Sequence, residues 1–270
     1  MAFISDHHLF SLSALLALIP VAIGTLRREQ KGRDGVYWSL LGVAVAGPMV
    51  WALVQISGSW MTGLSTALWA TIAVSMFIFA GTVLLTRQAW RLTPLMGLIM
   101  GVLGFLAVLW QNVPQKALGA SMQAGLVQVH ILTSVATYAL VTIAAVAALA
   151  AFLQERALKS RRPTSLTRTL PSVIDCEFLL VRLLTLGEIV LGVGLVTGMT
   201  IQYRNTGNLL HFDHKTILTL TSFVVIGILL TAHFKSGIRG RMATRMVLLA
   251  YLLMTLGYPG VKFVSDVLLS

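Results

Sequence analysis

The sequence predicts an all-α, polytopic integral membrane bundle of about eight transmembrane helices, with both termini outside. Three observations carry that reading. Of 270 residues, 57% are apolar and only 11% charged, whereas a soluble domain carries about a quarter charged residues. Eight continuous apolar runs each approach the roughly 20 residues that span a bilayer core. The basic residues crowd into alternate loops. This composition excludes most soluble enzymes and the disordered class. Continuous rather than alternating runs select helices over a β-barrel.

The runs lie at 9–26, 36–56, 64–86, 92–110, 126–153, 177–201, 215–234 and 246–268. The first is preceded by His7 and His8 but by no Lys or Arg, and no small-residue cleavage site follows it, so no cleavable signal peptide is expected. The fourth carries Gly97 and Gly101, a GxxxG pair of the kind that lets helices approach closely. The fifth carries His130 near its start, then Ser134, Thr137, Tyr138 and Thr142 at helical spacing, a polar stripe that should face the bundle interior. The sixth holds a second GxxxG pair, Gly194 and Gly198, and an acid at its centre, Glu188, for which Arg182 and Lys262 are the candidate partners. Glu177 and Arg182 sit near the boundary where this run begins. The seventh is preceded by His211, begins next to His214, has Thr221 and Ser222 on nearly the same face, and ends at His233. The eighth contains Gly257, Pro259 and Gly260, which should bend it, and Lys262, which can snorkel to the surface. Connections are short. The longest, 154–176, contains no room for a separate folded unit, so residues 1–270 read as a single transmembrane domain.

Charge sets the orientation. Loops 27–35, 87–91, 154–176 and 235–245 hold four, two, five and four Lys or Arg, fifteen of the twenty in the chain. The opposite side holds Lys116, Arg204 and Lys215. The formal charge of +11 is therefore a record of topology. It predicts that the basic loops face the cytoplasm and both termini face out, into the periplasm if the membrane is a bacterial inner membrane. No basic loop interleaves aromatics for base stacking, so the partners expected are the lipid bilayer and no nucleic acid. The single Cys176 excludes an internal disulfide and any multi-cysteine zinc site. There is no nucleophile elbow, P-loop or HExxH, so no catalytic residues are assigned and the chain is not expected to be an enzyme.

Ionisable groups inside a membrane are costly and are functional candidates. His130 and His214 fall at the same outer depth on two different helices. Neutral imidazoles ligate haem iron, two from opposite faces where two are available. Hydrogen bonding at the membrane edge is the alternative use of such residues. Glu188 reads either as a proton-coupling carboxylate or as a structural acid bonded to a neighbouring helix.

Several segments of the C-terminal half resemble the cytochrome c assembly family of haem-handling membrane proteins, which includes the CcmC, CcsA and HemX types. They are His130–Ile131–Leu132–Thr133–Ser134 leading into Ala136–Thr137–Tyr138–Ala139; Leu170–Pro171 with Glu177, Arg182 and Gly187; Asp213–His214–Lys215–Thr216 with a helix ending at His233; Gly237–Ile238–Arg239–Gly240–Arg241; and Gly257–Tyr258 with Gly260–Val261. The resemblance covers residues 126–270, while 1–125 match only as hydrophobic spans. Haem transporters of that family carry an outward WGxxWxWDxK segment. In the same register, Thr206 to Lys215, this chain keeps Gly207, Asp213 and Lys215 and has none of the three tryptophans; every Trp lies at or before residue 110. It is similar in this respect to the tryptophan-poor, YpjD-like inner-membrane branch.

The resemblance implies non-covalent, b-type haem as cofactor and cargo, held near the outer face and handled during cytochrome c assembly, with other cytochrome c maturation proteins as partners. It implies His130 as an iron ligand, His214 as the second, Lys215 and Arg204 as propionate partners, and Tyr138, Phe212 and Asp213 as further contacts. His233 is a further candidate ligand. The residues themselves leave two other functions open: a proton-coupled small-solute transporter working through Glu188, and a non-catalytic membrane regulator of haem synthesis or of a neighbouring transporter.

Overall fold

The computed structural model describes residues 2–27, 32–57, 61–113, 116–117, 125–209, 213–237 and 240–264. Within the described residues, helices take up each predicted run. They are α1 (Ala2–Arg27), α2 (Gly35–Ser57), α3 (Leu64–Leu85), α4 (Thr93–Leu109), α5 (Gly125–Ser160), a short α6 (Ser165–Thr169), α7 (Val173–Thr206), α8 (His214–Ser236) and α9 (Arg241–Thr255). A 3₁₀ turn at Ala89–Leu92 precedes α4, and a π-turn at Leu256–Gly260 follows α9. Among the described residues seven helices are long and apolar enough to cross a membrane, and α1 adds the shorter apolar stretch Leu9–Gly24. The protein is thus a polytopic helical membrane bundle. The extended structure consists of β1 (Met61–Thr62) and β2 (Lys116–Ala117), an antiparallel pair that ties the α2–α3 and α4–α5 connections together.

Local chemistry explains the ends. Ser172 caps α7 by accepting from the Asp175 N–H at 3.2 Å, and Asp213 caps α8 by accepting from the Thr216 N–H at 2.8 Å. Thr164 and Thr167 form a reciprocal capping box around α6. Helix α7 ends at Gly207, whose φ of +73° is the left-handed conformation that favours glycine. Pro94 opens α4, where a missing N–H costs nothing. Pro259 lies inside the π-turn, so the predicted disturbance of the last span takes the form of a widened turn rather than a break.

Helix α5 is the axis of the bundle. From Thr137 to Ala148 every residue is buried. It packs most extensively along α7 and also against α3 and α9, while α1, α2, α3 and α4 pack on one another. One continuous apolar core runs through all of these, from Ala14 to Ala250. The small side chains of α5, Ala144 through Ala151, allow this close approach on several sides. Two buried polar pairs are bonded across helices: the Tyr37 hydroxyl lies 3.0 Å from Thr93 Oγ1, and Trp51 Nε1 donates to Ser11 Oγ at 3.0 Å. The outer faces carry exposed apolar side chains such as Leu84, Phe105, Ile189 and Val196, as lipid-facing surfaces do.

Four helices outrun their predicted spans by four residues or more: α1 begins at Ala2 rather than 9, α5 continues past 153 to Ser160, α7 runs from Val173 to Thr206 rather than 177–201, and α9 begins at Arg241 rather than 246. The Gln154 amide explains part of this: it reaches the carbonyls of Thr167, Leu170 and Pro171 at 2.8–3.2 Å and ties the connection to the end of α5.

Candidate functional site

Two sets of contacts define the ends of the bundle. At one end the start of α5 meets the end of α7. At the other, Glu155 of α5 and Glu177 of α7 converge on Gly240, whose N–H donates to Glu177 Oε1. The second end carries the basic loops.

His130 belongs to the first end. It lies one and a half turns into α5 and is partly exposed. Its Nδ1 is 3.0 Å from the Gly194 carbonyl oxygen and 3.2 Å from Thr197 Oγ1. A carbonyl only accepts, so Nδ1 carries the proton and donates. The Thr197 hydroxyl itself donates to the same carbonyl at 2.9 Å. The ring lies against Gly198, where an added Cβ would stand 2.9 Å from His130 Cε1. The Gly194–Gly198 pair, expected to bring helices together, is thus the seat of a histidine ring. With Nδ1 as donor, a neutral ring carries its lone pair on Nε2, which is the arrangement of a metal-ligating imidazole with an orienting second contact.

The hydroxyls below His130 are internally satisfied. Ser134 donates to the His130 carbonyl at 2.7 Å, Thr137 to Thr133 at 2.8 Å and Thr142 to Tyr138 at 2.7 Å. The stripe faces inward, as its spacing predicts, with Thr137, Tyr138 and Thr142 buried. Tyr138 points toward α9 and the π-turn: its hydroxyl is 3.1 Å from Thr255 Oγ1, and its ring packs against Tyr251 and Tyr258 with centroids at 5.8 and 5.9 Å.

His214 and Lys215 open α8 and are exposed, and Arg204 is exposed in the last turn of α7. Asp213 serves as the helix cap. These residues share the end of the bundle with His130, but no hydrogen bond joins the two histidines, and α7 and α9 pack between their helices. Phe212, together with Leu210 and His211, lies outside the described residues. In α8 Ser222 is buried and Thr221 is exposed, so only the former faces the bundle.

Glu188 sits mid-span at the α7–α8 contact. Its Oε1 would lie 3.3 Å from a Cβ on Gly227, and its buried Oε2 has no hydrogen-bond partner. Arg182, one of its two expected partners, turns away and stacks over Phe178 at 5.0 Å. Gly227 is the residue that sequence reasoning missed here; nothing in its spacing marks it. His233 lies at the basic end, edge-on to Phe234, remote from His130.

A family model described as cytochrome C assembly protein matches residues 36–269. The chain is also 53% identical over 269 residues to a protein of Azospirillum brasilense described as an uncharacterized 28.8 kDa protein in a nifR3-like 5′ region, covering 98% of this chain and 99% of the relative. No solved structure matches.

Proposed function

Since the chain belongs to the cytochrome C assembly protein family, a placement that supports a role in cytochrome c biogenesis, we propose that it binds haem reversibly at the outer end of the bundle. In this reading it holds or passes on the group without covalent chemistry of its own. It resides in a bacterial inner membrane with the basic loops inside.

The observation that supports this most directly is the setting of His130. A ligating histidine needs a fixed ring and an unprotonated nitrogen aimed outward. The Gly194 carbonyl, the Thr197 hydroxyl and the bare Cα of Gly198 supply the first, and Nδ1 as donor leaves Nε2 as the ligating nitrogen of the neutral ring. When bound, haem supplies the iron that one or two imidazoles hold. His130 holds from the α5 side. His214, at the exposed start of α8, is the second ligand in this proposal. Arg204 and Lys215 flank that position with positive charge suited to propionates. The hand-over partners are other cytochrome c maturation proteins.

The experiment is a haem titration of the purified protein. The expected result is a low-spin Soret and α/β spectrum that His130→Ala abolishes and His214→Ala converts to a weaker or high-spin form. A wild-type spectrum and affinity in both variants would sink the assignment.

One observation favours a second reading, proton-coupled transport of a small solute: a buried carboxyl oxygen in mid-membrane without a partner. Loss of function in Glu188→Gln with haem binding intact would select it.

A further inference from the structure

At the basic end, far from His130, a groove of about 810 Å³ runs between the end of α3, the first half of α7 and the end of α8. Its α7 wall extends from Ile174 to Leu186. Twelve residue rises make that about 18 Å, close to the roughly 15 Å of hydrocarbon in one leaflet. Polar groups gather toward one end. Thr86, Glu177 and His233 line that end, and the Arg182 guanidinium is folded back over Phe178, one turn toward the basic surface. Toward the midplane the wall becomes Val181, Leu183, Thr185 and Leu186, with Thr82 of α3 opposite, and both hydroxyls donate to carbonyls of their own helices. The flanks are open to the bilayer: Leu85 and Ile174, both in the lining, are 88% and 78% exposed.

The polar end holds one cation, Arg182, and one acid, Glu177, and among the described residues no ion pair joins them. Glu177, the acid in the lining, is engaged by the Gly240 N–H. Arg33 caps the adjoining end of α3 through the Val83 carbonyl at 3.0 Å. A groove about one leaflet long, with an arginine that pairs with no acid near one end and apolar or internally bonded side chains beyond it, fits an amphiphile with an anionic head. We propose that it seats one anionic phospholipid of the inner leaflet, the phosphate on Arg182 beside His233 and an acyl chain along Val181, Thr185 and Leu186. The site is independent of the outer histidine site.

The test is native mass spectrometry of the full-length protein after exchange from membranes into mild detergent, followed by nanodiscs of phosphatidylglycerol or phosphatidylcholine. Wild type should retain about one phosphatidylglycerol in preference to phosphatidylcholine. Arg182→Gln should lower phosphatidylglycerol retention roughly fivefold, the worth of one basic residue at an anionic surface, and Arg182→Lys should restore most of it. Leu186→Trp, or Thr185→Phe if that variant fails to fold, should lower retention of both lipids by filling the tail end. Arg241→Gln, at the same surface outside the groove, should change nothing. Wild-type retention in both Arg182→Gln and the filled variant overturns the proposal, as does equal retention of the two lipids. A haem spectrum that His233→Ala removes, with no lipid retained, would assign the groove to a porphyrin instead.

Discussion

The imidazole of His130 rests on the bare Cα of Gly198, with only 2.9 Å between its Cε1 and the place a Cβ would occupy. That spacing is tighter than a methyl group tolerates. Gly198→Ala should therefore push the ring off the Gly194 carbonyl while leaving the helices intact. The expected outcome is a loss of roughly 10–100-fold in haem affinity, the usual effect of disturbing a ligand's orienting contacts. It is read by titration alongside an unchanged far-ultraviolet spectrum.

Thr197→Val removes the hydroxyl that accepts from Nδ1 but keeps the Gly194 carbonyl. The effect should be smaller, near the low end of that range. A loss as large as that of His130→Ala would mean that Thr197, not Gly194, orients the ring.

Glu177 and Glu155 both approach Gly240, yet they should differ in worth. Glu177 accepts the backbone N–H of a residue held at φ +64°. Glu155 pairs at 3.4 Å with Arg241 and at 4.0 Å with Lys159, both well exposed. A charged acceptor on a backbone N–H is worth about 1.5–3 kcal/mol, an exposed ion pair about 0–1 kcal/mol. Thermal unfolding in detergent should show Glu177→Ala clearly destabilised and Glu155→Ala close to wild type, with added salt affecting only the latter comparison.

Tyr138→Phe should cost about 1 kcal/mol, the net worth of a neutral hydrogen bond, because it removes the bond to Thr255 while keeping the contacts with Tyr251 and Tyr258. Haem affinity should not change, since the hydroxyl is already engaged by Thr255. A changed affinity would place Tyr138 in the binding site after all.

Glu188→Gln should leave stability within about 1 kcal/mol of wild type, because the wild-type Oε2 already lacks a partner and the amide has the same shape. Gly227→Val should be worse, since its Cβ would meet the carboxyl at 3.3 Å. A strongly destabilised Glu188→Gln would reveal a partner for the acid.

Hydropathy and loop charge displayed the bundle because a membrane imposes one rule everywhere: backbone groups must be satisfied within each span. The inward rotation of α5 was equally legible, since Ser134, Thr137, Tyr138 and Thr142 recur at 3.6-residue spacing. What escaped was pairing between helices. Gly194 and Gly198 announce a close approach but not that an imidazole fills it, because any small-residue pair looks alike whatever lies opposite. Glu188 announces an anomaly but not Gly227. Depth alone put His130 and His214 together, and depth says nothing of which helices stand between them. The extension of α5 and α7 beyond the apolar runs depends on Gln154 reaching three carbonyls of a folded connection, a contact that hydropathy does not record.

Helix α7 carries the His130 seat, Glu188 and Arg182 on one unbroken α-helical segment from Val173 to Thr206. The outermost and innermost of these, Gly198 and Arg182, are about 24 Å apart along the axis. They therefore move as points on a rod. Sliding or turning α7 against its neighbours displaces all three by the same amount, so the two membrane faces of the protein cannot be adjusted separately through this helix.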